Sequence, residues 1–326
     1  VPANLTPAYF EAEKRYRAAE TIEDKLKALN EMLAVMPKHK GTEVLRAELR
    51  TKIAKLTKEA AKEQATAKRG GVYHIPREGA GQIAVIGFTN VGKSHLLGSM
   101  TAATPEVADY PYTTKVPQVG MAKFENVQIQ LVDMPPITDQ DARPWFAAIL
   151  RSADALLLVV DLEIDPVTEV RELVAELAKY KHGVNGLDAG SGEILFTKRA
   201  VIAGNKSDLD PDGAHLRELE AAYLGKVPVV GISAKCGTGL DALRKALFDS
   251  LGVIRVYTKS PGTRADLSDP MILRVGSTIE DAAEAVHKDF RRNLKYALIW
   301  GSGKFAGQRV KRDHVVQDGD IIELHA

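Results

Sequence analysis

A chain of 326 residues is long enough for two or three domains, and with 45% apolar and 27% charged residues it has the composition of a folded globular protein rather than a disordered one. The formal net charge of +1 excludes a chain-wide polyelectrolyte, and the single cysteine, Cys236, excludes an internal disulfide and reads as a small space-filler. The longest apolar run, Ala155–Val160, is far too short to span a bilayer, the first 25 residues lack the apolar core of a secretory signal, and the scattered histidines form no zinc pattern. The expectation is therefore a cytoplasmic protein with no membrane partner.

Residues 1–70 are predicted to be a helical region. Ala, Lys, Glu and Leu dominate from Thr6 to about Ala67, Pro37 and Gly41 break the segment in two, and Val44, Leu45, Leu49, Ile53 and Leu56 recur at helical spacing, so a helical hairpin is expected. Ten Lys/Arg against four Glu between Lys38 and Arg69 make its second half basic. A glycine-marked linker at 71–81 follows. From 82 to 252 short apolar runs alternate with helical stretches: Ile83–Ile86, Val127–Val132, Ala155–Val160, Ala200–Ala203 and Pro228–Ile232 are the runs, and Leu240–Leu251 is the last helix. Such alternation predicts an α/β fold, a doubly wound and largely parallel sheet with an added antiparallel strand at Gln118–Phe124. Residues 253–326 change texture to short strands around one helix, Ile279–Phe290, and predict a small α+β domain.

The motifs fall at the carboxyl ends of the predicted parallel strands, where doubly wound sheets bind ligands. Gly87-Phe88-Thr89-Asn90-Val91-Gly92-Lys93-Ser94 fits the P-loop pattern between a strand and a helix. Its glycines let backbone N–H groups converge on phosphate oxygens, Lys93 supplies a charge at the β- and γ-phosphates, and Ser94 is a candidate Mg²⁺ ligand. Gly87, Asn90, Val91, Gly92, Lys93, Ser94 and His95 are the phosphate-binding candidates. Asp133 closes the strand Ile129–Val132 as the natural carboxylate holding a water on Mg²⁺.

A P-loop alone leaves kinases, ATPases and GTPases open. Asn205-Lys206-Ser207-Asp208 follows the strand Val201–Ala203, where an Asp carboxylate can accept from the N1–H and 2-amino group of guanine, donors that adenine does not offer. Ser233-Ala234-Lys235 after the next strand adds backbone donors for guanine O6. The cofactor expectation is GTP/GDP with Mg²⁺. Thr113 and Thr114 lie in a loop of Pro and Tyr, where one hydroxyl can join Mg²⁺ once the γ-phosphate orders the loop.

These residues resemble the Obg/DRG group of GTPases, most closely the developmentally regulated GTP-binding (DRG) branch. Met36–Glu43 resembles that branch's N-terminal segment and Tyr110-Pro111-Tyr112-Thr113-Thr114 its first switch, which implies that Thr114 is the Mg²⁺-binding threonine and, with Lys93 and Asp133, serves catalysis. Ile254–Lys259, Tyr296–Gly301, Gln308-Arg309-Val310 and Asp318-Gly319-Asp320 are similar to the TGS domain, a ubiquitin-like β-grasp module, which implies contact with ribosomes, ribosomal RNA or a regulatory protein. Asn90 matches the asparagine that accompanies K⁺-stimulated hydrolysis in similar GTPases. The basic 38–69 segment and Arg291, Arg292, Lys295, Lys304, Arg309, Lys311 and Arg312 are candidate RNA contacts, with Asp313, Asp318, Asp320 and Glu323 expected to offset the latter group.

The chain departs from the family pattern at two places, and at a third it differs from Ras-like enzymes only, since the Obg/DRG group also lacks their glutamine. The family's D-x-P-G reads Asp133-Met134-Pro135-Pro136, so a proline without an N–H stands where a glycine N–H should meet the γ-phosphate. Ile137 follows where Ras-like enzymes carry a water-orienting Gln, so intrinsic hydrolysis is expected to be slow. The accessory domain inserted in the DRG branch is absent, and Lys181–Lys198 leaves room for a short hairpin at most. Three functions follow: a hydrolysing GTP switch, a nucleotide-dependent docking module with negligible turnover, and an ATPase, the last opposed by Asn205 and Asp208.

Overall fold

A computed structural model describes residues 7–18, 22–36, 42, 49–53, 56, 75–101, 106–107, 117–138, 143–188, 190 and 193–325. The chain divides into two compact units, residues 1–73 and 74–326. Among the described residues no helix is long and apolar enough to cross a membrane.

In the first unit α1 (Pro7–Ala18) and α2 (Ile22–Val35) bury Tyr9, Ala12, Leu29 and Met32 in one cluster with Met36 and Leu49. The hairpin expected across Pro37 thus has a partner pairing upstream of it, because the chain before Pro37 is two helices. The order Thr21-Ile22-Glu23-Asp24 is a capping-box pattern, a start signal inside what reads as one helical stretch. Most of the basic 38–69 segment lies outside the described residues.

The second unit is built on an eight-stranded sheet. Its strands are β1 (Gln82–Ile86), β2 (Glu106–Val107), β3 (Gln118–Phe124), β4 (Val127–Asp133), β5 (Ala155–Asp161), β6 (His182–Val184), β7 (Phe196–Asn205) and β8 (Val229–Gly231), ordered β2-β3-β4-β1-β5-β7-β6 with β8 also on β7. β1 pairs in parallel with both β4 and β5, and β3 is antiparallel to β4, as the sequence predicts. All five residues of β1 and all seven of β5 are buried, which alternation allows only if both faces are covered. On one face, helices α3 (Lys93–Met100) and α7 (Leu240–Leu251) bury Leu96, Leu97, Leu243 and Leu247 against Ile83, Val85, Leu157 and Val159. The intervening helices are α4 (Arg143–Ser152), α5 (Pro166–Lys179) and α6 (Ala214–Tyr223). α4 buries Trp145, Phe146 and Ile149 completely. Residues 181–198 are not a hairpin: His182–Val184 pairs in parallel with Phe196–Lys198, a crossover forced by β6 and β7 running the same way along the sheet edge.

α7 ends on Gly252 in the left-handed region (φ 65°), and β9 (Val253–Thr258) begins at once. With β10 (Met271–Arg274), β11 (Tyr296–Trp300), β12 (Gln308–Val310) and β13 (Asp320–His325) it forms a five-stranded sheet, order β10-β9-β13-β11-β12, in which only β9 and β13 run parallel. α8 (Ile279–Val286) packs Ile279, Ala282 and Ala283 on one face of that sheet. The single helix expected to Phe290 is broken at His287, which is fully extended (φ −169°, ψ 145°); its imidazole accepts from Asp289 N at 3.2 Å and starts a second helix, α9 (Lys288–Asn293).

The opposite face of β9 meets the β3–β4 hairpin. Arg255 binds Asp318 through Nη2 at 2.7 Å and Nε at 3.1 Å, reaches Glu125, and lies over the rings of Phe248 and Phe124 at 5.1 and 5.9 Å. Asn126 Nδ2 donates to Tyr257 Oη at 2.6 Å and to Leu267 O at 2.8 Å. Arg255→Ala removes the side-chain hydrogen bonds to Asp318 and Glu125, while Asp318 Oδ1 keeps its bond from the residue 255 backbone N–H at 2.7 Å and both carboxylates reach solvent, so urea unfolding should show a loss of about 1–2 kcal/mol. A loss below about 0.5 kcal/mol would place the junction's strength in the apolar contacts alone.

Candidate nucleotide-binding site

Three loops from the carboxyl ends of β1, β7 and β8 converge, and one amide joins them. Asn205, the last residue of β7 and 3% exposed, donates from Nδ2 to Val91 O at 2.8 Å and accepts from Ala234 N at 3.0 Å. Its side chain therefore braces the P-loop against the Ser233–Lys235 loop. The close approach depends on Gly92, held at φ 92°, since a Cβ there would stand 2.4 Å from Asn205 Nδ2. Gly87 is equally confined, with room for a Cβ only 2.6 Å from Val159 O. Asn90 also takes a left-handed conformation, φ 64°, which asparagine tolerates better than most residues.

At the phosphate end, a cleft of about 610 Å³ is lined by Asn90, Gly92, Lys93, Ser94, Asp133 and Pro136 among others. Lys93 is 7% exposed and donates to Phe88 O at 2.6 Å and Gly87 O at 3.1 Å, so its ammonium sits inside the loop. Burial lowers its pKa below that of an ordinary lysine, with the charges of Asp133 and then Glu169 opposing. Ser94 Oγ donates to Asp133 Oδ2 at 2.6 Å. Burial raises the Asp133 carboxyl, opposed by that hydrogen bond and by Lys93, and its Oδ1 is buried with no hydrogen-bond partner. A carboxylate oxygen left this way, beside the Ser94 hydroxyl, is an oxygen pair suited to a hydrated divalent cation. His95 is exposed, with its carbonyl accepting from Ser99. Ile137 is 1% exposed and turned into the core, away from the cleft. Thr113 and Thr114 lie outside the described residues.

At the other end, Asp208 is exposed on a short 3₁₀ turn, Ser207–Leu209. Ser233 Oγ donates to its Oδ1 at 2.6 Å and holds its carboxyl below the usual carboxylate range. Ser233 itself is 1% exposed and also accepts from Cys236 N at 3.1 Å. Cys236 is exposed, which corrects its reading as a space-filler: it stands on the outside of a turn spanned by backbone hydrogen bonds. Lys235 is exposed as well. Lys206, at φ 66°, binds Asp161 and, at 3.2 Å, Glu163, and the bond to Asp161 raises its pKa.

Asp161, Glu163 and Glu169 were not singled out in the sequence. Asp161 ends the apolar run of β5 as Asp133 ends that of β4, a signal legible in hindsight. Glu169 lies between Pro166 and Leu173 on the apolar stripe of α5, is 5% exposed, and accepts from Asp161 N at 2.7 Å. Burial pushes its carboxyl up to about 7, with the Asp161 N–H working against the rise.

Residues 82–187 match the family described as a 50S ribosome-binding GTPase, and residues 254–326 match the TGS domain. The GTP-binding protein MJ1326 of Methanocaldococcus jannaschii is 29% identical, over 93% of this chain and 92% of its own. Over 93% of its length the chain is similar to this GTP-binding protein, and it carries a GTPase domain followed by a TGS domain. Ribosome-interacting GTPase 1 of Saccharomyces cerevisiae is 26% identical over 93% of this chain and 99% of its own, and Developmentally-regulated GTP-binding protein 2 of Homo sapiens is 27% identical over 92% and 98%. The alignment with MJ1326 runs over 364 positions, more than the 326 of this GTPase, so that relative carries inserted residues that this chain lacks.

Asn205→Ala should leave the Val91 carbonyl and Ala234 N–H unpaired at about 1–3 kcal/mol each. Calorimetry should then show GDP affinity falling on the order of a hundredfold; a fall of less than about threefold would mean the two loops hold their places without the brace. Glu169 gives a pH signature. Its folded pKa, about 7, lies above the ordinary 4.5, so its contribution is fully present below about pH 4.5 and is lost as pH rises through 7. Glu169→Gln should therefore be more stable than the parent at pH 8, by roughly 1–3 kcal/mol in urea titrations, and nearly equal to it at pH 5. An equal difference at both pH values would exclude the titration.

Proposed function

We propose that this GTPase is a nucleotide switch acting on the ribosome or its RNA, with the three-loop site as the sensor of GTP against GDP. The observation that carries the nucleotide assignment is the Asn205 brace, which fixes a phosphate loop and a base loop to one side chain, with the Asp208 carboxylate already oriented by Ser233. The ribosomal output is supported by the yeast relative's name.

In this reading the P-loop N–H groups from Asn90 to His95 receive the α- and β-phosphates, and Lys93 neutralises charge at the β- and γ-phosphates. Ser94, Thr114 and, through a water, Asp133 would hold Mg²⁺, which would supply electrostatic stabilisation of the phosphate charge. Asp208 accepts from guanine N1–H and the 2-amino group. Because the Ala234 N–H is engaged by Asn205, contact with guanine O6 passes to the Lys235 backbone. The stem of Lys206, anchored by Asp161 and Glu163, lies at the base end of the site. With the Ile137 side chain in the core, nothing at that position orients the attacking water, and turnover is slow.

Pro136 favours a second reading. It lines the cleft where the family places a glycine, and having no N–H it offers the γ-phosphate no hydrogen bond. Binding without hydrolysis would then be the working state. Phosphate release over many turnovers, with and without ribosomes, separates the two: release above one phosphate per chain supports the switch, and none under either condition supports the docking module. Ribosome pelleting with a GTP analogue should exceed pelleting with GDP, and equal pelleting would remove the switch. Pro136→Gly should raise the ratio of GTP-analogue to GDP affinity about tenfold, the worth of one charge-assisted hydrogen bond, with an unchanged ratio counting against γ-phosphate sensing at this position. If Asn90 helps to hold a K⁺ ion, single-turnover hydrolysis should be faster in K⁺ than in Na⁺. Equal rates would leave Asn90 as a brace of the loop.

A further inference from the structure

The acidic residues of the TGS domain are largely engaged within the domain, which changes its outward charge. Asp318 is bound to Arg255, Asp320 is 1% exposed and accepts from Ser302 and Gln317, and Glu323 is 5% exposed between Lys259 at 2.9 Å and His325 at 2.7 Å. Three of the four carboxylates expected to offset the basic residues are thus already neutralised or inside the fold. The cations are not. Lys288, Arg292, Lys295 and Lys311 are exposed and form no ion pair with another described residue.

Two of these cations, Lys288 and Arg292, line a groove of about 350 Å³ that is walled also by Glu280 and Glu284 from α8, Arg291 from α9, and Arg312. Arg291 lies between the two glutamates, with Nε 3.2 Å from Glu280 and Nη1 bonded to Glu284, so the groove's acidic charge is partly answered from within. Arg312 is held by Leu294 O at its Nε, 2.8 Å away. Lys288 and Arg292 remain, one turn apart on the same side of α9. The groove is on the helix-bearing side of the sheet, whereas Arg255 and Tyr257 meet the GTPase domain from the other side, so a partner can enter while the two domains stay joined.

We propose that this groove binds the phosphodiester backbone of RNA, an inference that rests on the ribosome- and RNA-directed reading above and names the surface that serves it. All six lining side chains are charged and none is apolar. Protein interfaces have cores depleted in charge and rich in aromatic residues, while nucleic-acid interfaces are polar and strongly positive. Guanidinium groups also match phosphate geometry, and phosphate contacts are read without regard to base sequence.

The test uses the full chain loaded with GDP and a fluorescein-labelled RNA hairpin of arbitrary sequence, with anisotropy titrations from 50 to 300 mM KCl. Lys288→Gln with Arg292→Gln should weaken binding about tenfold near 150 mM and make the slope of log affinity against log salt shallower by about 1.8, or about 0.9 for each lost phosphate contact. Lys288→Arg with Arg292→Lys should restore both, which separates charge from any change in fold, and Lys179→Gln on the GTPase domain should alter neither. The proposal falls if the double Gln variant keeps the parent slope, if Lys179→Gln lowers it equally, or if polyglutamate at equal charge displaces the RNA. Failure of the ribosomal reading is seen elsewhere, as a parent chain that binds the hairpin yet pellets equally with ribosomes in GDP and in the GTP analogue.

Discussion

The candidate nucleotide site depends on one carboxamide. Asn205 spends its carbonyl on Ala234 N and an N–H on Val91 O, and so turns three separate strand ends into one surface. Each loop alone is a short irregular segment whose backbone groups point where local geometry sends them. Buried groups of this kind must be paired, and pairing them through one side chain makes the placement of the phosphate loop and the base loop a single event. Gly92 is the counterpart: the absence of a Cβ lets the amide come within reach.

The P-loop pattern and the Asn205–Asp208 motif were legible in the sequence because each is a local spacing next to a strand end. A P-loop needs glycines at fixed offsets between a strand and a helix, and the fold puts that strand and helix at Gln82–Ile86 and Lys93–Met100. The brace was not legible, since nothing in Asn205-Lys206-Ser207-Asp208 says which of the two polar ends faces the ligand and which faces the protein. Glu169 was hidden for a related reason: a single acid on an apolar stripe reads as a helix-surface residue until the backbone N–H it caps, that of Asp161, is known. Elsewhere tertiary context decided. The extended backbone at His287 breaks a helix that composition alone would continue, and residues 181–198 form a parallel crossover where length alone suggested a hairpin.

The charge of the C-terminal domain was legible in amount and misjudged in direction. Counting Asp318, Asp320 and Glu323 against the nearby arginines and lysines treats all of them as surface residues. In the fold those three carboxylates organise turns and strand ends, with Asp320 gathering Ser302 and Gln317 and Glu323 joining Lys259 to His325. A sum over sequence therefore understates the field that a partner meets.

The β3–β4 hairpin has one end at each of two places. Gln118 and Asp133 stand at the nucleotide cleft, while Phe124, Glu125 and Asn126 lie under Arg255, Tyr257 and Leu267 of the TGS domain. With Gly252 passing straight from the last helix into β9, no slack separates the two sheets. Val253 and Ile272 also lean on the apolar cluster beneath α7. The TGS domain is thus part of the solvent-excluding cover of the GTPase core. Cutting the gene at that glycine would yield a GTPase fragment with newly exposed apolar surface, prone to self-association.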